Sequence, residues 1–241
     1  MKLKDGVSFL VFYKNTGIDL DSTIKTILLA CEKLNFENFE IITIDDGSSP
    51  AYLHNVNVPK NIRTMHVRHE YSKGITASII DGANLATFKY SLPTPGHDMF
   101  TQVSFENIIK LIGTSEIILG CRINLADSRP PVKRLASRVL RDLYRHLTFY
   151  YIGDIHGLFA YQTEDLIKYL EPHLGHANAV IAVTKIICSG GHLTQTFATV
   201  KSNHDDRPSR KLSDSIPSPT AVWTVIKSLF YVRRLVKGKV K

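Results

Sequence analysis

The sequence predicts one α/β domain, with a mostly parallel central sheet, helices on both faces and a C-terminal amphipathic helix. Three observations carry that expectation. Val7–Tyr13, Phe39–Asp45 and Glu116–Arg122 are short, near-continuous apolar runs, the pattern of strands buried on both faces. Between them lie segments whose apolar residues recur at spacings of three and four, the period of a helix with one core-facing stripe. Strand and helix alternate in this way along most of the chain, which implies parallel pairing through right-handed crossovers. Finally, 241 residues with 44% hydrophobic and 22% charged content are enough to bury a large core and ordinary for a globular chain.

Taken in order, the first strand, Val7–Tyr13, runs into the polar loop Lys14–Gly17. Asp21 or Ser22 can cap a helix whose stripe is Ile24, Ile27, Leu28, Cys31 and Leu34. The strand Phe39–Asp45 stops abruptly at Asp45-Asp46-Gly47-Ser48-Ser49-Pro50. That turn puts two adjacent carboxylates at the carboxyl end of a central strand, where open α/β sheets bind ligands. Taken alone, such a turn is as readily an Asx-type turn that caps backbone groups. Ile62–Arg68 alternates apolar and polar residues, as a more exposed strand does. Lys73-Gly74 opens a helix carrying Ile75, Ile79 and Ala83, with Ala77, Gly82 and Ala86 small enough to lie close against a sheet.

Phe88–Leu92 is a weaker strand, followed by Pro93-Thr94-Pro95-Gly96-His97-Asp98-Met99. Two prolines and a glycine predict an irregular loop that carries His97 and Asp98 at a strand end. A helix with Phe105, Ile108, Ile109 and Ile112 and the strand ending at Arg122 follow. From Val132 on, Val132, Leu135, Ala136, Val139, Leu140, Leu143 and Leu147 predict the core-facing side of a helix. Arg134, Arg138, Arg141 and Arg145 form a basic stripe on another side, with Asp142 as the one compensating charge. Such a stripe is either a solvated face or the flank of an anion. Gly153–Tyr161 reads as a loop entering a strand, Thr163 as the cap of a short helix, Ala179–Cys188 as a helix stopped by Gly190-Gly191, and Leu193–Val200 as the last strand. After a polar loop, Lys201–Lys211, a helix begins at Pro219 and mixes Trp223, Phe230 and Tyr231 with six Lys and Arg residues; it suits an anionic membrane surface or packing against the domain.

A net charge of +8 is compatible with nucleic acid, an anionic membrane or a phosphate-bearing substrate. There is no helix-turn-helix pattern or zinc spacing, and the arginines sit beside strand ends rather than among exposed aromatics, so nucleic acid is not expected. Cys31, Cys121 and Cys188 have no metal spacing and fit buried thiols of a reducing, cytoplasmic compartment. No apolar run reaches the roughly 20 residues of a membrane span, so any membrane contact is expected to be peripheral, at the cytoplasmic face.

The order of these motifs resembles family 2 glycosyltransferases of the GT-A fold, in particular the polyprenyl-phosphate branch that includes dolichyl-phosphate mannose synthase. The likeness extends over nearly the whole chain and is weak residue by residue. It implies a GT-A domain over residues 1–200, divided into a nucleotide-binding half, 1–122, and an acceptor half, 123–200, with a basic loop and amphipathic tail at 201–241. It also implies transfer of a sugar, with inversion, from a nucleoside diphosphate donor to a polyprenyl phosphate. A saccharide hydroxyl as acceptor, or a catalytically impaired protein with the same fold, are the alternatives.

Tyr13 and the Asp45-Asp46-Gly47-Ser48 turn would hold base and ribose, with Lys73 beside the donor. Gly120-Cys121-Arg122 mirrors the family's Gly-Ser-Arg. Arg134, Ser137 and Arg138 mirror its acceptor-phosphate helix, and Arg207, Arg210 and Lys211 the basic loop over the diphosphate. The family's Asp-x-Asp is here Gly96-His97-Asp98, which leaves Asp98 as the implied ligand of Mg²⁺ or Mn²⁺, with His97 a softer ligand or a hydrogen-bond donor to the diphosphate. A phosphate acceptor is already anionic; a hydroxyl acceptor would need a base, for which Asp154 and His156 are the candidates. The partners implied are the nucleotide-sugar donor, the lipid phosphate or saccharide acceptor, an anionic membrane surface and an integral membrane partner.

Overall fold

Seven strands, β1 (Lys4–Tyr13), β2 (Phe39–Asp45), β3 (Arg63–Arg68), β4 (Phe88–Pro95), β5 (Ile117–Arg122), β6 (Leu158–Gln162) and β7 (Leu193–Ala198), form one sheet in the order β3-β2-β1-β4-β6-β5-β7. All are parallel except β6, which runs antiparallel to both β4 and β5. The structure is a computed structural model and describes residues 3–124, 131–154, 156–171, 178–201 and 219–239.

The helices are α1 (Ile18–Lys33), α2 (Ile75–Leu85), α3 (Gln102–Ile109), α4 (Pro131–Thr148), α5 (Thr163–Tyr169), α6 (Asn178–Cys188) and α7 (Pro219–Lys239). They divide between the two faces of the sheet because alternate strand residues point to opposite sides. Val7, Phe9, Val11 and Tyr13 of β1 join Ile24 and Ile27 of α1 and Phe105 and Ile108 of α3 in one core. Leu10 of β1 joins Ile42 and Ile44, with Ala83 of α2, Tyr144 of α4, Ile181 of α6 and Val232 of α7, in the other. Gly82 is the point of closest approach of α2: a Cβ there would meet Ile44 Cδ1 at 2.9 Å. Among the described residues, no helix is long and apolar enough to cross a membrane.

Three local expectations need correction. First, β4 continues through Pro93 and Pro95 instead of ending at Leu92. Gly96 N–H donates to Phe12 O, so strand alternation turns the nitrogens of Pro93 and Pro95 to the opposite edge. Pairing with β6 on that edge is confined to Tyr90 and Ser91, and no ladder donor is missed. Second, α1 begins at Ile18, earlier than a cap at Asp21 would allow, and the buried Asp21 carboxylate accepts from Tyr52 Oη (2.9 Å) and Asn55 N–H (3.0 Å). Third, α4 is rolled about its axis. Tyr144 is fully buried, its hydroxyl 2.9 Å from Thr184 Oγ1, and Leu147 lies beside it, whereas Leu135, Val139 and Leu143 face outward. The C-terminal helix α7 buries Leu229 and Val232 against the domain and leaves Phe230, Lys227, Arg233, Arg234 and Lys237 exposed.

Candidate active site

The topology brings distant parts of the chain to one rim of the sheet. The carboxyl ends of β1 to β5 and β7 all lie there, marked by Tyr13, Asp45, Arg68, the Gly96–Asp98 turn, Arg122 and Lys201. Because β6 runs the other way, its leading segment, with Asp154 and His156, enters from the same rim.

At the β1 and β2 ends the loops are tied together. Asn15, at φ +53°, donates its N–H to Ser48 Oγ (2.9 Å) and accepts from Ser49 N–H on its side-chain oxygen (2.9 Å). Tyr13 Oη donates to Tyr52 O at 2.5 Å and its ring stacks on His66, centroids 6.5 Å apart. Burial, with the Asp45 charge nearby, pushes the Tyr13 phenol well above its ordinary range, so it stays neutral. Asp45 is fully buried. Its Oδ1 accepts from Ser48 N–H (2.8 Å), while Oδ2 has no hydrogen-bond partner and lies 3.9 Å from Arg68 Nε. Thr16 Oγ1 is likewise buried without a partner.

Asp46 does something different. Its oxygens accept from Ser72 Oγ (2.6 Å), Lys73 N–H (2.7 Å), Gly74 N–H (3.0 Å) and His69 Nδ1 (2.9 Å). Burial opposes its charge, but these bonds outweigh burial and lower its pKa to about 2. All four acceptor sites of a carboxylate are then filled. The expectation that Asp46 contacts the ligand directly gives way to a positioning role: it holds the turn that opens α2. Beyond it, His69 Nε2 reaches Asp81 (2.9 Å), and Lys73 Nζ also turns to Asp81 (3.3 Å).

Asp98, at φ +53°, donates its N–H to Thr23 Oγ1 (2.9 Å), and its carboxylate is paired with Lys201 Nζ at 2.5 Å. Lys201 also donates to Thr26 Oγ1 (3.4 Å). Among the described residues no group of three His, Cys, Asp or Glu side chains could hold a metal ion. With one carboxylate in the motif, and that one neutralised by an ammonium, these residues do not fit a protein-built divalent-cation site. Asp98 alone would therefore hold a divalent cation only with the donor's phosphates and water completing the shell, and only if Lys201 gave way. His97 is half-buried on the same turn. Lys201 was not among the sequence-predicted site residues, although it stands just beyond the end of β7, on the rim that Arg122 reaches as the last residue of β5.

Arg122 and Asp154 form a bidentate pair in the interior: Nε to Oδ2 2.6 Å, Nη2 to Oδ1 2.9 Å, with Arg122 N–H also on Oδ2 (3.2 Å). Burial works against the Asp154 charge, yet Arg122 and His156 N–H (3.0 Å) hold its carboxyl below the ordinary range. A carboxylate so engaged is a poor proton acceptor, and its role as general base is corrected to that of holding Arg122. The guanidinium side chain is wholly buried, and its Nη1 has no partner. His156 lines a cavity of about 210 Å³ with Phe12, Pro95, Met99, Leu158 and Asn178, between the rim and α2, α5 and α6. Arg134 and Ser137 are half-buried on α4 and Arg138 is exposed. Arg207, Arg210 and Lys211 lie outside the described residues.

No family model and no curated protein matches this sequence. Solved structures do. Glucosyl-3-phosphoglycerate synthase from Mycobacterium tuberculosis, in complex with uridine diphosphate, superposes with a TM-score of 0.62 at 15% identity, over 95% of this chain and 80% of that one. Mannosyl-3-phosphoglycerate synthase from Rubrobacter xylanophilus gives 0.64 at 15% identity, over 98% and 76%. A mannosyltransferase from Pyrobaculum calidifontis, in complex with GDP-Man and Mn²⁺, gives 0.52 at 13% identity, over 97% and 73%. The single α/β domain, with its seven-stranded, mostly parallel sheet, therefore has the GT-A fold of these glycosyltransferases.

Proposed function

We propose that this chain is a nucleotide-sugar glycosyltransferase that moves a sugar from a nucleoside diphosphate donor to an anionic acceptor, a polyprenyl phosphate or related lipid phosphate, in the manner of family 2 enzymes. The observation that carries the reading is the fully buried Asp45, whose Oδ2 lacks a hydrogen-bond partner at the carboxyl end of a central strand. A buried acceptor without a donor is costly, and an N–H or O–H of a nucleoside would satisfy it. Two of the GT-A neighbours carry UDP or GDP-Man, which supports a donor of that class.

In this reading Tyr13, Asp45 and the loops tied by Asn15 receive the nucleoside. Arg122, braced by Asp154, directs the anionic acceptor, together with Arg134, Ser137 and Arg138. The acceptor oxygen forms its bond to the anomeric carbon as the bond from that carbon to the donor diphosphate breaks, and the electron pair leaves with the nucleoside diphosphate. Attack from the face opposite the leaving group gives inversion. Negative charge grows on the departing diphosphate, so the need is for cations set in place beforehand, a role for which the sequence offers Arg207, Arg210 and Lys211. An acceptor already ionised needs no general base, in keeping with the engagement of Asp154 by Arg122. The largely apolar cavity beside His156 favours an acceptor with hydrocarbon next to its anionic group. No step is routed through a metal ion.

The test is a thermal-shift and calorimetric comparison of UDP, GDP and CDP with their nucleosides, on the parent chain and on Asp45→Asn. One diphosphate should raise the melting temperature, and Asp45→Asn should weaken its binding by about tenfold, the worth of a hydrogen bond to a charged group, while unfolding stays cooperative. Indifference of the parent to all three diphosphates, with or without added Mg²⁺ or Mn²⁺, would end the proposal.

A further inference from the structure

Helix α4 presents a surface that the core does not explain. Leu135, Val139 and Leu143 recur every fourth residue on its outer side and are 62%, 57% and 38% exposed. Just beyond its end, Phe149 and Tyr151 are 87% and 72% exposed, and the Arg145 guanidinium lies over the Tyr151 ring, 4.1 Å from its centroid. On the other flank run Arg134, Arg138, Arg141 and Arg145, of which Arg138 is exposed and the other three half-buried, with Arg145 Nε also donating to Ile152 O (3.0 Å). Asp142, the only acidic residue of the helix, is taken up by Arg141 (3.0 Å) and Arg145 (3.5 Å). Helix α7 packs alongside α4 and adds an exposed Phe230 with exposed Arg233, Arg234 and Lys237.

We propose that this face is a docking surface for an anionic phospholipid membrane, with α4 lying in the headgroup layer. Leu135, Val139 and the aromatics at its end would reach the acyl boundary, and the arginines the lipid phosphates. Paired apolar and cationic flanks are what such a layer accommodates, since it offers hydrocarbon and negative charge a few ångströms apart. A second copy of the chain fits less well, because a two-fold contact through this face would bring like-charged arginines together. A nucleic acid would match the arginines but leave the apolar stripe against water or phosphate. The inference places the main contact on α4 rather than on the C-terminal helix. Arg134 and Arg138 also serve the acceptor in the sugar-transfer reading, so the arm that separates the two is Leu135 and Val139, which have no part in sugar transfer.

The experiment is co-sedimentation of the full chain with vesicles of phosphatidylcholine, alone or with roughly one-third phosphatidylglycerol. The chain should pellet with the anionic vesicles only, and less as salt rises. Leu135→Ser/Val139→Ser and, separately, Arg138→Gln should each weaken the partition about fivefold or more, with thermal unfolding unchanged because all three positions are exposed. Phe230→Ser should weaken it less. Failure to bind anionic vesicles overturns the proposal, as does binding that survives both α4 variants. So does light scattering that shows a dimer dissolved by Leu135→Ser/Val139→Ser.

Discussion

Asp45 and Asp46 are adjacent, chemically identical and oppositely used. Asp45 keeps one oxygen without a partner, while Asp46 has every acceptor site filled by the 69–74 segment. The pH dependence of stability should report the second. The pKa of Asp46 is about 2 in the fold, against about 4 in an unfolded chain. A carboxyl with a depressed folded pKa contributes fully above the unfolded value and loses that contribution as pH falls toward the folded one. Urea midpoints should therefore drop between about pH 4 and pH 2, and Asp46→Asn should flatten that drop; an unchanged slope would show that the four bonds are not stabilising. The buried pair Arg122–Asp154 allows a second measurement. Arg122→Met leaves Asp154 buried and uncompensated, at a cost of about 3 kcal/mol, and the double variant Arg122→Met/Asp154→Leu should recover part of it in urea unfolding. Strictly additive losses would argue against coupling. The Asp-Asp-Gly-Ser turn pointed to the place in advance. The division of labour within it was not legible, because it depends on His69 and Ser72, which lie more than twenty residues further on.

At the scale of elements, period and turn chemistry located nearly every strand and helix, since burial on both faces of a sheet demands apolar runs that stand out in one dimension. What they could not give was rotation about an axis. The apolar positions of α4 outnumber those the core can cover, and Tyr144, which a pattern of aliphatic residues leaves out, takes the inward direction. The prolines of β4 were misread for a related reason: their cost depends on whether the strand has a neighbour on that edge, which only pairing reveals. Pairing at the rim depends on one close approach. A Cβ at Gly157 would fall on the Gly120 carbonyl oxygen, backbone that cannot move aside without disturbing the start of the β5–β6 ladder. Gly157→Ala should cost about 2 kcal/mol or more in urea unfolding; a loss within experimental error would show that this corner is pliable.

Across the whole molecule, a mostly parallel sheet was legible from the alternation of strand and helix, but its order was not, because sequence proximity does not say which strand lies beside which. β5 does not pair with β4, the strand before it in the chain; it is joined to the rest through β6 and flanked by β7, both later in the chain. That arrangement has a consequence during synthesis. A nascent polypeptide that has left the ribosome only as far as Arg122 has built β3-β2-β1-β4 with an open outer edge on β4, and holds β5 as an apolar strand with nothing to pair with. Both are templates for adding strands from other chains, and they stay so until some forty further residues emerge and β6 can slot between them. Chains truncated after Arg122 should therefore aggregate more readily than chains that extend past Gln162, which sedimentation of the two fragments would check.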